Sequence, residues 1–413
     1  MTAALAALLL ALAPQDAHPI ELTVEAGAQD RADTPARTFV IVPDALAKVR
    51  TVALNGSGGM TLTGQLSDLS ISSPMFKVKE GFRPRELTII LPVLKAGQTV
   101  SFSGVLSPVS PAVSGGFKWT EKGRESIDLA FDGKPVLRYM CAPLDESSKE
   151  SREQTYKVFH HLFDPSGDRP VTKGPGGKFT HHRGIFYGFN KVTYGSGKGC
   201  DIWHCTGTAY QEHVKVLSSE EGPVFGRHRL EIAWHGAGKE VFAREERELS
   251  AWKMPRGTLV EFASSLRAEI APVKLDGDPQ HAGFHFRADN EVADKTAKQT
   301  VYLRPDGPGK PGETRNWDAK NSSHKNLAWD SMSFLLGEKR YTVAYLDRPE
   351  NPKEARFSER DYGRFGSYFV HTLEKDQALA VAYRLWLQEG EMTVDQVAAK
   401  AADFTAPPRV TAK

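Results

Sequence analysis

The 413-residue sequence predicts a mostly β protein: a small N-terminal β-sandwich, then a large antiparallel β-sandwich, with few helices. Three observations carry this. Apolar and polar residues alternate over short runs, the period of a half-buried strand. Clusters of Gly, Asn, Ser and Pro punctuate those runs. Helical periodicity is scarce, which argues against a parallel sheet with its crossover helices.

The elements follow in chain order. Residues 3–13 are one apolar run, too short for a bilayer span, which takes roughly 20 residues. The run suits the h-region of a signal peptide, with small residues at Ala13 and Ala17 for cleavage. Residues 1–17 are therefore expected to be an export signal, and the location periplasmic or secreted. Residues 18–111 read as the small sandwich. Residues 20–25 (IELTVE) alternate cleanly, similar runs lie at 38–42, 49–54, 86–91 and 99–102, and residues 55–59 (NGSGG) form a turn cluster. A Pro/Ser/Gly-rich stretch ends in a linker at 112–116. Residues 117–413 read as the large sandwich, with longer and more aromatic runs such as 184–189, 227–234, 258–269, 341–346 and 378–387. One helix is expected at 394–402, because Thr393 and Gln396 make a capping box.

Composition excludes several functions. The 53 basic and 51 acidic residues give a net charge of +2, no footprint for nucleic acid. Walker A, GxGxxG, GxSxG, HExxH and EF-hand patterns are all missing. The three cysteines, Cys141, Cys200 and Cys205, read as semi-buried thiols in strands.

Three clusters can carry chemistry. Residues 180–184 (THHRG) lead into an aromatic strand. If extended, His181 and Arg183 share one face and His182 takes the other. Residues 281–288 (HAGFHFRA) alternate. Ala282, Phe284, Phe286 and Ala288 make a core face; His281, His285 and Arg287 lie opposite, with Gly283 leaving room between the imidazoles. On a strand the His281 and His285 Cα atoms are roughly 13 Å apart, too far to share one metal without a bend. The third cluster, residues 357–369, interleaves Glu359, Asp361, Tyr362 and Arg364 with glycines; if extended, the two carboxylates share a face and suit acid/base work. Trp203, Trp317 and Trp329 are further candidates for stacking.

His, Arg, carboxylates and aromatics together suit a polyhydroxylated or anionic small molecule such as a sugar or sugar acid. The expected function is a carbohydrate-active enzyme that moves a proton in epimerisation, elimination or hydrolysis. His281 is the expected acid, Glu359 or Asp361 the base, and His182 a further catalytic candidate. His181, Arg183, Trp203, His285, Arg287, Tyr362 and Arg364 would bind substrate. The partner is then a small carbohydrate or glycan, with no cofactor. Two alternatives stand beside this: a glycan-binding protein without catalysis, and a metal enzyme using two or three of His181, His182, His281 and His285.

Residues 173–177 (KGPGG), 181–185 (HHRGI), 281–287, 341–352 (YTVAYLDRPENP) and 361–369 (DYGRFGSYF) occur in an order that resembles the bacterial PmoA-like family, labelled methane oxygenase PmoA, over roughly residues 117–407. The resemblance implies no activity that transfers residue by residue, and methane oxidation is not expected of a chain without a membrane-spanning segment. The order of His181 or His182, His281, and Glu359 or Asp361 is also similar to galactose-mutarotase-like sandwiches, which implies a supersandwich with one concave face.

Overall fold

The computed structural model describes residues 17–108, 115–318 and 323–413. The expected export signal, apart from Ala17, and most of the 112–116 linker lie outside the described residues. The chain forms two compact units, one of Met1–Gly116, Gly222–Val224 and Pro407–Lys413, the other of Phe117–Glu221 and Phe225–Ala406.

The first unit is one seven-stranded antiparallel sheet, ordered Arg31–Pro43, Phe82–Leu94, Thr61–Ser67, Thr51–Gly56, Thr99–Leu106, His18–Glu25, Arg409–Ala412. It rolls until its edges meet: Thr38 Oγ1, in the first of these strands, donates to the Val410 carbonyl in the last at 3.1 Å. Leu22, Leu54, Leu87, Ile89 and Phe102 fill the space it encloses. The sequence reading places residues 407–413 in the large domain. Instead Arg409–Ala412 pairs with His18–Glu25 and supplies the strand that brings the edges together.

The second unit packs a nine-stranded antiparallel sheet against an eight-stranded and a four-stranded one. The eight-stranded sheet runs Arg356–Arg360, Arg364–Tyr368, Ala282–Arg287, Ile185–Phe189, Phe159–Leu162, Lys134–Met140, Ser126–Phe131, Phe117–Lys122. Its inner face follows the alternation read from the sequence: Ala282, Phe284, Phe286 and Ala288 are all in the core. Phe284 lies 4.6 Å from Phe262 of the facing sheet, and Tyr187 5.9 Å from Trp234. Burying each such ring stabilises the fold by about 1.5–3 kcal/mol. Gly283 does not make room between imidazoles. Its φ is +90°, and a Cβ there would meet the Ser367 carbonyl oxygen at 2.0 Å, so glycine lets two strands approach.

Among the described residues two α-helices accompany the sheets. Val394–Thr405 starts at the expected capping box: Gln396 N–H donates to Thr393 Oγ1 at 3.3 Å, and Thr393 N–H to Gln396 Oε1 at 2.9 Å. Lys149–Thr155, absent from the sequence reading, is capped by Ser148, whose hydroxyl accepts from Ser151 N–H. Among the described residues no helix is long and apolar enough to cross a membrane.

Candidate functional site

Three histidines meet beside the eight-stranded sheet: His181 from the loop before Ile185–Phe189, His281 from the turn before Ala282–Arg287, and His204 from the turn after residue 200. One nitrogen from each lies within 4.8 Å of the others. Ring centroids are 4.4 Å apart for His181–His204, 4.5 Å for His204–His281 and 5.5 Å for His181–His281. All three sit in loops and turns, where backbone reversals can aim side chains at one point.

Two are braced alike. Asp201 Oδ1 accepts the backbone N–H groups of Trp203 and His204, at 2.9 and 2.7 Å, while Oδ2 accepts His204 Nδ1–H at 2.7 Å. Asp278 Oδ1 accepts Gln280 N–H at 2.9 Å and His281 Nδ1–H at 3.0 Å, and Asn190 Nδ2 holds Oδ2 at 2.7 Å. A carboxylate only accepts, so each Nδ1 carries a proton and each Nε2 is the nitrogen left away from the brace. Burial works to raise the Asp278 carboxyl, yet the hydrogen bonds from His281, Gln280 and Asn190 hold it well below the ordinary carboxylate range. His181 Nε2 is buried without a hydrogen-bond partner. Burial, then the Lys157 ammonium and the other two imidazoles, pull His181 down to about 2, so its ring stays neutral. The His204 and His281 side chains are about a quarter exposed, which opens the cluster to solvent.

Lys157 ties the loops together. Its ammonium donates to the His181 carbonyl at 2.6 Å and to the Trp203 carbonyl. Burial first brings it down to about 7.

The residues around this cluster are largely those the sequence singles out, with four corrections. Residues 180–184 precede the strand, which begins at Ile185, so alternation does not apply. The His181 and His182 rings touch at 4.4 Å, and both turn toward His281. Arg183 points elsewhere, donating to the Thr180, His182 and Glu153 carbonyls and lying over Tyr156 and Phe159; it holds the loop rather than a substrate. Glu359 and Asp361 share no face, because a turn at residues 361–363 separates them. Glu359 is fully buried in a two-pronged ion pair with Arg304, at 2.7 and 2.5 Å, and Asp361 pairs with Lys298 at 2.9 Å. Neither is placed to act as base beside His281. Trp203 is 2% exposed, packed among Phe186, His285 and His182, so it is a wall of the site and no open stacking platform. Trp329 is core, and Trp317 lies under the Arg356 guanidinium.

His182, His285, Arg287, Tyr362 and Arg364 do gather here. Tyr362 stacks on His182 at 5.9 Å, Arg287 lies 5.0 Å over Tyr362, and Arg364 Nη1 donates to His285 Nδ1 at 2.9 Å. Burial, then the Arg364 charge, holds both His182 and His285 well below the ordinary histidine range. The sequence reading omits His204, Asp201 and Asp278. A signal for them exists: Asp-x-x-His occurs as Asp201 to His204 and again as Asp278 to His281, the same spacing with the same hydrogen bond.

The cysteines are all free thiols. Burial raises Cys205 to about 11 and Cys200 to about 12, leaving both protonated and poor ligands.

Fold and site define a large antiparallel β-sandwich with an open histidine cluster beside one sheet. The chain belongs to a family of unknown function, DUF6807, whose pattern matches residues 126–402. No curated protein matches the sequence. Among solved structures it is similar to a protein in the glycosyl hydrolase family 38 from Enterococcus faecalis, at 9% identity and a TM-score of 0.46, over 97% of this chain and 48% of that one. The chain thus spans about half the length of that protein.

Proposed function

We propose that the protein is a metal-dependent enzyme whose centre is His181, His204 and His281, acting on a small carbohydrate. The observation that carries this reading is the convergence of three imidazole nitrogens within 4.8 Å, two of them braced by Asp201 and Asp278. Neutral imidazoles are the commonest ligands of zinc, copper and iron, and a carboxylate on the far nitrogen fixes the tautomer and raises ligand basicity. Nitrogens within 4.8 Å of one another are near enough that His181, His204 and His281 would hold one ion between them. Three protein ligands leave a position for water or substrate, as in catalytic rather than structural sites. A bound metal there supplies Lewis acidity and lowers the pKa of a bound water. The chain's own residues keep His181 neutral, orient His204 and His281, and wall the site with Trp203, Tyr362 and Phe179.

One observation favours a second reading. Each Asp–His pair also leaves an oriented imidazole with a free Nε2, a geometry suited to a general base without metal. Metal analysis of the purified protein separates the two. About one equivalent of transition metal per chain, with activity lost on chelation and restored on re-addition, supports the first. Sugar turnover unaffected by chelators supports the second and removes the first.

A further inference from the structure

Next to the three histidines the protein buries positive charge without neutralising it. Arg287 and Arg364 are directly opposite one another on neighbouring strands, and Arg364 is opposite Arg360 on the next. Like charges so placed repel. Three other buried arginines in this unit are answered by carboxylates, Arg304 by Glu359, Arg247 by Glu245 and Arg384 by Glu261, and Arg183, which has none, is held by three backbone carbonyls. Among the described residues no Asp or Glu oxygen forms an ion pair with Arg287, Arg364 or Arg360. Arg287 and Arg364 are both 1% exposed or less. Their donors are only partly used. Arg287 Nη1 serves the Ala288 and Tyr362 carbonyls, while its Nε and Nη2 have no partner. Arg364 serves His285 and Ser358, while its Nε has none. His182, between these groups and His281, has neither ring nitrogen bonded. Leaving buried guanidinium donors unsatisfied is costly, more so than for neutral groups.

An anion resolves all of this at once. We propose that Arg287, Arg364 and His182 seat the carboxylate of a sugar acid, whose reacting carbon then lies over His181, His204 and His281. Only the second half of that statement rests on the metal-centre reading. A guanidinium fork matches a carboxylate in plane and spacing, which selects it over a point-charge anion. The Phe179 ring covers the seat, 4.7 Å from Tyr362 and 5.4 Å from His182. Phe179 is 39% exposed and has φ of +58°, an uncommon conformation for a bulky residue. It would be the apolar roof over the sugar ring.

The test uses the full chain stripped of metal with EDTA, so failure of the metal reading does not obscure the result. D-glucuronate, D-glucose and inorganic phosphate are added separately, reading the thermal midpoint and tryptophan fluorescence. Glucuronate is expected to bind saturably and raise the midpoint, and glucose to do neither. Arg287→Met or Arg364→Met is expected to weaken glucuronate binding about ten- to hundredfold, the loss of charge-assisted hydrogen bonds. Should either variant fail to fold, Arg287→Lys, which keeps the charge and loses the fork, reads the same weakening. No binding of glucuronate, equal binding of glucose, binding of phosphate alone, or unchanged affinity in the variants overturns the proposal.

Discussion

Among the described residues, two places in the large unit bring three candidate ligands within 4.8 Å: the cluster of His181, His204 and His281, and that of His324, Asp330 and Glu359. They differ in what surrounds them. In the first, every group offered to the centre is an imidazole, the carboxylates stand behind as braces, and two rings reach solvent. In the second, all three residues are buried, and Arg304 already occupies Glu359 with two hydrogen bonds. His324 Nε2 lies 3.3 Å from Glu359 Oε1 without the alignment of a hydrogen bond. Burial, then the Glu359 charge, pushes the Asp330 carboxyl well above its ordinary range, so it stays protonated. Proximity alone therefore does not make a metal centre. Free lone pairs and access do, and a guanidinium can fill the role of the cation where access is lacking.

The largest effects expected are on the open cluster. His204→Ala or His281→Ala removes a ligand, and stoichiometric metal and turnover are lost in a protein with an unchanged circular dichroism spectrum. In the closed cluster the expected effect is on folding instead. Glu359→Gln removes the two-pronged partner of buried Arg304, leaving it only Glu313 at 3.7 Å, and lowers stability by about 3 kcal/mol in denaturant titration, with metal content retained. A Glu359 variant that folds as well as the parent and loses only turnover would contradict that division of roles.

Smaller effects sharpen it. Asp201→Ala leaves His204 present but unbraced, and metal affinity falls about 10–100-fold by competition with a chelator. Acid acts through a third place, the buried pair His160 and His228, whose Nε2 atoms are 3.0 Å apart. Burial first brings His228 down to about 3 and holds His160 well below its ordinary range. The unfolded chain takes up protons on these rings below about 6.5 while the folded chain does not. Stability is therefore full above about 6.5 and falls as pH drops toward 3, and His228→Gln flattens that slope. The smallest effect is at Asp330. Its folded carboxyl keeps a proton that the unfolded chain releases above about 4, so stability declines as pH rises past that value. Asp330→Asn has no proton to release, and its thermal midpoint exceeds the parent's by a margin that grows from pH 4 to 7. A metal at this cluster would reverse that sign.

Much of the fold was legible from residues. The alternation at 281–288 put Phe284 and Phe286 in the core, and Thr393 with Gln396 marked a helix start, because both are local patterns with a fixed period or spacing. The site was legible in part. His181 and His281 stood out in their clusters, but strand alternation misassigned the faces of residues 181–183, which lie before the strand. Glu359 and Asp361 looked like a pair until a turn separated them and Arg304, 55 residues away in the chain, claimed Glu359. His204 went unread because its segment, CDIWHC, drew attention to its cysteines and tryptophan. The Asp201–His204 spacing is local, but the two neighbours that make His204 part of a cluster, His181 and His281, come from distant loops that only folding brings together.

The most direct test of the central claim is a cobalt(II) titration of the metal-free protein, followed by visible absorption, run beside His204→Ala and Glu359→Gln. The account predicts that the parent and Glu359→Gln bind one equivalent with the same d–d spectrum, and that His204→Ala shows no saturable binding. A parent with no saturable cobalt spectrum, or a spectrum lost with Glu359 and kept without His204, would contradict it.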